Sequence, residues 1–262
     1  MTERERAVAF LLETYRRRAE RVESFPWGEL IRTPSLPKVW DANFATASNW
    51  EGDASGLARA VDRAQRDAGF AHRRAVLTDE ELAGQLWPEI STAGWEFASR
   101  YLVMAQHREP DRPPDETIEI LGIGEVDWAA GRSRMFDEEG QSEDPELVRQ
   151  LLQLDRRLAA AMEVRHLAAI VDGQVASFTG LYLEDGVAQI EDVATLREHR
   201  GRGLARAVVL AAALEARRAG AELVFLMADA DDWPQQLYKR LGFDPIGCEH
   251  VFGRSGRQHS SA

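Results

Sequence analysis

The chain has 262 residues, of which 44% are hydrophobic and 29% are charged, and its formal net charge is −12. This length fits two modest domains or one large one, and the composition is that of an ordinary soluble globular protein. No apolar run reaches the roughly 20 residues that cross a bilayer, so no membrane partner is expected. The acidity argues against nucleic acid, whose phosphates need a basic face. It suits a cationic amine, or it simply keeps the chain soluble.

The cysteine and histidine residues further limit the kinds of functional site that the chain could contain. The single cysteine, Cys248, excludes an internal disulfide and suits a reducing cytoplasm. The histidines have no metal-ligand spacing, so the sequence predicts no metal. Arginine far outnumbers lysine, which is typical of a GC-rich bacterial genome. Nothing in the sequence decides between a monomer and a homodimer.

The first half of the chain, residues 1–107, is predicted to be a small α/β domain. Its patterns give, in order, helix 3–22, extended segments 27–32 and 38–45, helix 55–68, strand 71–78, helix 79–87 and strand 95–106. A polar segment with three prolines follows. Because it can continue neither a helix nor a central strand, residues 108–116 are predicted to be a linker.

The second half, residues 117–254, is predicted to be a larger domain, followed by a mobile tail over 255–262. Its elements are strand 117–126, helices 127–137 and 144–162, strands 166–171, 174–184 and 187–196, helix 203–219, strand 222–228, helix 233–241 and strand 244–252. Two Asp-Gly pairs, at Asp172 and Asp185, predict tight hairpins and therefore three consecutive antiparallel strands. The unbroken apolar run 223–227 indicates a strand covered on both faces.

A basic, glycine-bearing turn joins the strand ending near residue 196 to the helix at 203–219. Amide groups at such a turn lie at the positive end of the helix dipole, which favours a pyrophosphate. Gly201 and Gly203 permit close approach of a ligand to the backbone, and Arg197, Arg200 and Arg202 add positive charge. Alone, the turn is a weak signal, because nucleotide sites and purely structural turns share it. Neither a P-loop nor a dinucleotide-binding glycine motif is present.

The whole order of elements resembles the GNAT superfamily of N-acetyltransferases. Residues 200–205, RGRGLA, resemble the family's R/Q-x-x-G-x-G/A motif for the acetyl-CoA pyrophosphate, and residues 237–243, LYKRLGF, resemble its L-Y-x-x-x-G-F segment. The resemblance covers 117–254. It implies an α/β (α+β) fold with a mixed, mostly antiparallel sheet flanked by helices, and direct acetyl transfer from acetyl-CoA to a primary amine of a small molecule or peptide.

The resemblance also implies roles for particular positions. Tyr238 would protonate the departing thiolate, for which a tyrosine pKa of about 10 is suitable. Asp231 stands where relatives often have Asn, and it cannot donate an amide N–H, which puts its cofactor contact in doubt. Pro234 is tolerable in a first helical turn, with Asp231 or Asp232 as N-cap. The backbone groups that would hold the cofactor belong to Val193, Ala194, Thr195, Arg200, Gly201, Arg202, Gly203, Leu204 and Ala205.

The amine must lose a proton before it attacks, and two carboxylates are candidates for the base. Glu191 and Asp192 are neighbours on one predicted strand, so alternation would let only one of them face the pocket. Glu191 is favoured as base or amine anchor, and the alternative is a solvated or ion-paired carboxylate. His199, within the phosphate turn, is predicted to be a surface or phosphate contact.

The first half echoes the later part of the second, because residues 93–104 resemble the segment from 241 into the last strand. Nothing near residues 50–57 matches the pyrophosphate turn, and no tyrosine stands at the equivalent helix. The sequence therefore suggests a degenerate GNAT-like domain that shapes the acceptor pocket, or an unrelated α/β cap. A polar–aromatic cluster either lines that pocket or packs within strands: Trp40, Asp41, Asn43 and Phe44.

Two rival functions stay open at this stage. One is a non-catalytic acyl-CoA-binding regulatory module, suggested by the Asp231 departure and the motif-free first half. The other is a nucleotide-binding protein that uses the same turn. The identity of the acceptor and the acyl chain length are not encoded in any motif.

Overall fold

The computed structural model describes residues 1–255, so 256–262, nearly all of the predicted tail, lie outside the described residues. The helices are α1 (Glu3–Arg18), α2 (Ala54–Asp67), α3 (Glu80–Leu86), α4 (Glu125–Glu138), α5 (Pro145–Ala161), α6 (Leu204–Arg218) and α7 (Pro234–Arg240). The strands are β1 (Arg21–Phe25), β2 (Gly28–Arg32), β3 (Phe44–Ala47), β4 (His72–Leu77), β5 (Phe97–Gln106), β6 (Ile120–Ile123), β7 (Glu163–Val171), β8 (Gln174–Glu184), β9 (Val187–Thr195), β10 (Leu223–Asp229) and β11 (Phe243–Ser255).

All of these strands form one sheet in the order β1-β2-β3-β4-β11-β5-β10-β9-β8-β7-β6. Only β3 with β4 and β9 with β10 are parallel; the other neighbours are antiparallel. Both predicted Asp-Gly hairpins are present, with Asp172 and Asp185 at positive φ angles of 53° and 47°. The predicted mixed, mostly antiparallel sheet with flanking helices is confirmed.

The two halves repeat one pattern of strand, helix, strand, helix and strand. In the first half it runs through β3, α2, β4, α3 and β5, and in the second through β9, α6, β10, α7 and β11. In each half the first two of these strands are the parallel pair. The echo expected between the halves is therefore a repeated arrangement in space.

The halves exchange their last strands. β5 of the first half lies between β10 and β11, and β11 of the second half lies between β4 and β5. Residues 107–119 connect the halves without helix or strand. The sheet is thus continuous across the predicted linker. The domain limits 1–107 and 117–254 remain a sequence prediction. The exchange itself could not be predicted, because hydrophobic patterns do not specify which strands pair.

Several predicted boundaries were wrong at the ends of elements. The first helix ends at Arg18 rather than at residue 22, because Ala19 is already extended and the chain turns into β1, which pairs with β2. The strand predicted at 117–126 is limited to Ile120–Ile123. The last strand, predicted to end at residue 252, continues to Ser255 against β4 and so includes the first residue of the predicted tail.

The helices cover both faces of the sheet. On one, called here the α6 face, Val209 and Ala213 of α6 and Tyr238 of α7 pack on Ile190 and Leu226. On the other, called the α1 face, α1 and α5 pack on the central strands through Phe10, Leu11, Tyr15, Leu158, Val103 and Phe225. Helix α4 joins the α1 face through Trp128, which contacts Phe178 of β8.

Candidate functional site

The parallel strands β9 and β10 separate near their C-terminal ends. Their described pairing runs from Val187 with Leu223 to Ile190 with Leu226 and stops there. At that point β9 bulges against β8, where the register shifts between Phe178 and Gly180, and Asp192 has a positive φ of 56°. A bulge bends its strand and ends the regular ladder. The backbone of residues 191–195 is consequently open along the edge that faces β10.

The N-terminus of α6 lies next to this opening. Gly201 and Gly203 have φ angles of 75° and 79°, which favour glycine, and a Cβ added at either would meet no other atom within 4 Å. Gly203 caps α6 without a side-chain hydrogen bond, so the amides of the first turn are available to a ligand. Open space, uncapped amides and the helix dipole together fit an anion such as a pyrophosphate.

Three arginines surround this turn, as predicted from the sequence, and each is exposed. Arg200 donates from Nε to the Thr195 carbonyl at 3.1 Å, and Arg202 contacts His199 Nδ1 at 3.2 Å. Arg197 donates to the Glu138 carbonyl at 2.8 Å, while its own amide donates to the Glu138 carboxylate at 2.9 Å. These contacts hold the turn on α4 and leave its outer surface positive.

The corresponding helix of the first half, α2, has a filled N-terminus. The Asp53 carboxylate accepts from the Gly56 amide at 2.6 Å, and the Ala54 amide donates to Glu89 at 3.4 Å. The Trp50 ring covers the turn so closely that a Cβ at Gly56 would lie 2.7 Å from it. Two carboxylates and an indole therefore occupy the place that an anion would take. This filled N-terminus agrees with the absence of the pyrophosphate-turn motif near residues 50–57.

The backbone predicted to hold the pantetheine arm lies at the opening. Ser177 of β8 donates to the Ala194 carbonyl at 2.7 Å and contacts the Thr195 hydroxyl at 2.8 Å. Val193 packs against the α6 side of the sheet. These residues are thus anchored on their β8 side, and their β10 side is the open edge.

Tyr238 lies in α7 on the α6 face, 7% exposed and packed with Ile190 and Phe243. Burial raises the pKa of Tyr238 above its usual value, and the charge of Glu191 raises it further. The phenol therefore stays protonated at neutral pH. Tyr238 lies near enough to Glu191 for the charge of that carboxylate to affect the tyrosine pKa. Helix α7 begins after Trp233 without a side-chain cap, so the N-cap prediction for Asp231 or Asp232 was wrong; Pro234 does occupy the first turn.

Asp231 directs its carboxylate toward the first half of the chain. It is exposed and forms an ion pair with Arg100 at 3.1 Å, and its amide donates to Asp229 Oδ1 at 2.8 Å. Its predicted contact with the cofactor stays a prediction.

The expectation that only one of Glu191 and Asp192 could face a pocket was wrong. The bulge breaks the alternation, and both carboxylates lie on the α1 face. Asp192 accepts from Arg132 at 2.7 Å and from the Tyr182 hydroxyl at 3.0 Å. Glu191 accepts a hydrogen bond from Gln189, which pairs with Tyr182 across the strands. Burial first, and then the charge of Asp192, raise the pKa of Glu191 to about 8.

A buried network behind Asp192 was not expected from the sequence. Arg132 of α4 also donates to Asp155 of α5 at 3.2 Å, and Trp128 Nε1 donates to the same carboxylate at 3.2 Å. The Arg132 guanidinium lies 4.8 Å from the centre of the Phe136 ring. This network fastens α4 and α5 to the bulge. One arginine within a predicted helix gives no signal of such a role.

A second buried pair links α1 to the exchanged strand β11. Tyr15 donates from Oη to the Glu249 carboxylate at 2.9 Å. Glu249 is 5% exposed, and burial raises its pKa to about 7. Burial and the charge of Glu249 also raise the pKa of Tyr15, and the charge of Glu191 raises it further. The two glutamates therefore share one face and one environment.

The polar–aromatic cluster of the first half divides into two parts. Asn43 and Phe44 are each 1% exposed; Asn43 bonds to the Thr33 amide at 2.9 Å, and Phe44 packs edge-on against Tyr15. Of the two alternatives left open by the sequence, packing applies to these two, because they are core residues. Trp40 stacks on His72 with ring centroids 4.7 Å apart, and Asp41 pairs with Arg74 at 2.5 Å near the surface.

Residues 1–255 contain neither a grouped set of metal ligands nor a helix suited to span a membrane. No three His, Cys, Asp or Glu side chains of this part are grouped so that they could hold a metal ion. None of its helices combines the length and apolar character that a membrane span needs.

Residues 128–243 match the Acetyltransferase (GNAT) family. No curated protein matches the sequence. Among solved structures, a functionally unknown conserved protein from Staphylococcus epidermidis ATCC 12228 is similar with a TM-score of 0.70 and 13% identity, over 91% of this chain and 95% of that one.

Two further similar structures are a named N-acetyltransferase and a named GNAT protein. A GCN5-related N-acetyltransferase from Kribbella flavida gives a TM-score of 0.63 at 16% identity, over 98% of this chain and 97% of that one. A tandem GNAT protein from the clavulanic acid biosynthesis pathway gives 0.57 at 15% identity, over 88% and 79%. At these identities the likeness shows the fold alone. With the match of residues 128–243 to the Acetyltransferase (GNAT) family, it shows that the chain has a GNAT-type fold.

Proposed function

We propose that the protein is an acetyl-CoA-dependent N-acetyltransferase that acts on a primary amine of a small molecule or peptide. The proposal rests mainly on one observation: the uncapped, glycine-lined N-terminus of α6 lies beside the opening between β9 and β10. The family and fold support acyl transfer in general. The single cysteine suits a cytoplasmic setting, in which thiols stay reduced.

The residues at the opening fit the parts of acetyl-CoA. The amides of residues 201–205, with Arg200 and Arg202, would hold the pyrophosphate, and the open edge of Val193 and Thr195 would pair with the pantetheine arm as an added strand. When bound, acetyl-CoA supplies a thioester whose C–S bond breaks as the C–N bond to the amine forms.

The side chains on either side of β9 suit the two proton movements that this chemistry needs. Glu191, whose raised pKa lies near neutral pH, can accept the amine proton when it is ionised. Tyr238 holds a proton at Oη on the α6 face, where a leaving thiolate would need one. The two groups lie on opposite faces of the sheet, and the charge of Glu191 contributes to the raised pKa of Tyr238.

The proposal is tested by incubating the protein with acetyl-CoA and a panel of amines while free thiol is measured. We expect thiol release with at least one amine, and a decrease of about 10²-fold in kcat for Tyr238→Phe with an unchanged Kd for CoA. Unchanged turnover in that variant would remove Tyr238 from the chemistry. CoA binding without turnover over the whole panel would favour a non-catalytic acyl-CoA-binding module.

A further inference from the structure

A row of polar side chains crosses the α1 face beside Glu191. Tyr101 of β5 is directly opposite Asp229 of β10 on one side and Glu249 of β11 on the other. Residues directly opposite in antiparallel strands share a face and lie about 5 Å apart. The half-buried Tyr101 ring therefore has a carboxylate on each side. Met227, level with Glu191, packs on the same face as Tyr101.

The carboxylates of this row have no cationic partner in the described part of the chain. Among residues 1–255, no Arg, Lys or His nitrogen lies within 4.0 Å of the carboxylates of Glu191, Asp229 or Glu249, whereas 27 such contacts occur elsewhere. Arg74 and Arg18 act on these carboxylates only through their charge from farther away, because Arg74 pairs with Asp41 and Arg18 donates to the Asp41 carbonyl at 2.8 Å. Glu249 is buried and the other two are partly buried, and a buried carboxylate without an ion-pair partner is costly to ionise unless a ligand supplies a charge.

A neighbouring amide points to a ligand independently of these charges. Gln189 is 3% exposed, and its Nε2 donates to the Glu191 carboxylate. Its Oε1 atom is buried and has no hydrogen-bond partner in the described structure. A buried acceptor is rarely left unsatisfied. An N–H donor bound beside Glu191 would satisfy it, and a protonated or neutral amine is such a donor.

Building on the proposed acetyltransferase function, we propose that the acceptor is a diamine. Its reacting amino group binds at Glu191 and Gln189, and its second, cationic amino group binds over Tyr101 between Asp229 and Glu249. Glu191 on β9 and Tyr101 on β5 are two strands apart, so at about 4.8 Å per strand the two nitrogens are separated by on the order of 10 Å. Strands of both halves supply the second subsite, which gives the first half a part in selecting the acceptor.

Binding is measured by calorimetry with 1,7-diaminoheptane and heptylamine, which differ only in the second amino group. We expect the wild-type protein to bind the diamine at least tenfold more tightly. Two variants, Glu249→Gln and Asp229→Asn, should each lower the ratio of the two affinities about tenfold. The second keeps an acceptor oxygen for the Asp231 amide. Glu116→Gln, in the exposed connection between the halves, should leave the ratio unchanged.

Equal affinities for the two amines in the wild-type protein would overturn the proposal, as would an unchanged ratio in both subsite variants. Thiol release measured with the same two amines separates this outcome from a failure of the proposed function. Release with heptylamine and no preference for the diamine would leave the acetyltransferase function intact and remove the second subsite. Preferential diamine binding without thiol release from either amine would support the subsite and contradict the transferase.

Discussion

At the scale of single residues, the proposed chemistry depends on Glu191. Its carboxyl group is mostly protonated at neutral pH, because burial and the charge of Asp192 raise its pKa to about 8. A base acts only in its ionised form. The fraction of active enzyme should therefore rise as the pH increases toward 8 and level off above it.

We accordingly expect kcat/KM to increase about tenfold per pH unit below pH 8, as measured with an amine acceptor over pH 6 to 9 after correction for ionisation of the amine itself. Glu191→Gln should remove this limb and lower the plateau. Asp192→Asn should move the limb to lower pH, because it removes a negative charge that disfavours ionisation of Glu191. A limb that persists in Glu191→Gln would assign the base to another group.

The residue scale also shows what the sequence could and could not predict. Gly201, Gly203 and Tyr238 lie within motifs of local spacing, and Glu191 lies in the strand that precedes the glycine-bearing turn. Arg132 and Glu249 were not predicted, because their partners, Asp192 and Tyr15, are far away in the chain. A contact between distant segments leaves no periodic pattern in a single sequence. The shared face of Glu191 and Asp192 was missed because alternation does not anticipate a bulge.

At the scale of elements, the bulge of β9 is held by α4. Arg132 contributes a guanidinium whose side chain is 9% exposed and which pairs with both Asp155 and Asp192. Removing one partner of a buried ion pair leaves uncompensated charge, whereas exposed pairs contribute little. The same helix offers an exposed comparison, because Arg134 pairs with Glu198 at the surface, with side chains 39% and 61% exposed.

We therefore expect Arg132→Met to lower the free energy of unfolding by about 3 kcal/mol, and Arg134→Met to lower it by less than about 1 kcal/mol. Urea denaturation of both variants measures the difference. Because Arg132 holds Asp192 at the bulge, its variant should also weaken CoA binding. Equal effects of the two substitutions would mean that the buried network does not stabilise the site.

At the scale of the whole molecule, the exchange of β5 and β11 makes the halves interdependent. The C-terminal half lacks a partner for one edge of β10 unless β5 is present, and β11 bridges β4 and β5. Exposed edges of long central strands promote aggregation. The sequence predicted each strand here but not the exchange, since strand patterns specify which face is buried and not which neighbour pairs.

This architecture predicts one cooperative unfolding transition. Denaturation followed by tryptophan fluorescence, which samples mainly the first half through Trp27, Trp40, Trp50, Trp87 and Trp95, should coincide with denaturation followed by far-UV circular dichroism. A fragment that begins at residue 108 should be insoluble when expressed alone. Two separated transitions, or a soluble and folded fragment, would show that the halves are independent.

The first turn of α6 is proposed to bind the pyrophosphate of CoA, and a calorimetric titration with CoA measures this binding. Gly203 and Gly220 border the two ends of α6, with φ angles of 79° and 89° and open space around both. An alanine at either position suffers similar backbone strain, but only Gly203→Ala places a methyl group where the anion would lie. We expect wild-type protein and Gly220→Ala to bind CoA alike and Gly203→Ala to bind at least tenfold more weakly. Equal binding by both variants, or no binding by the wild-type protein, would contradict the claim.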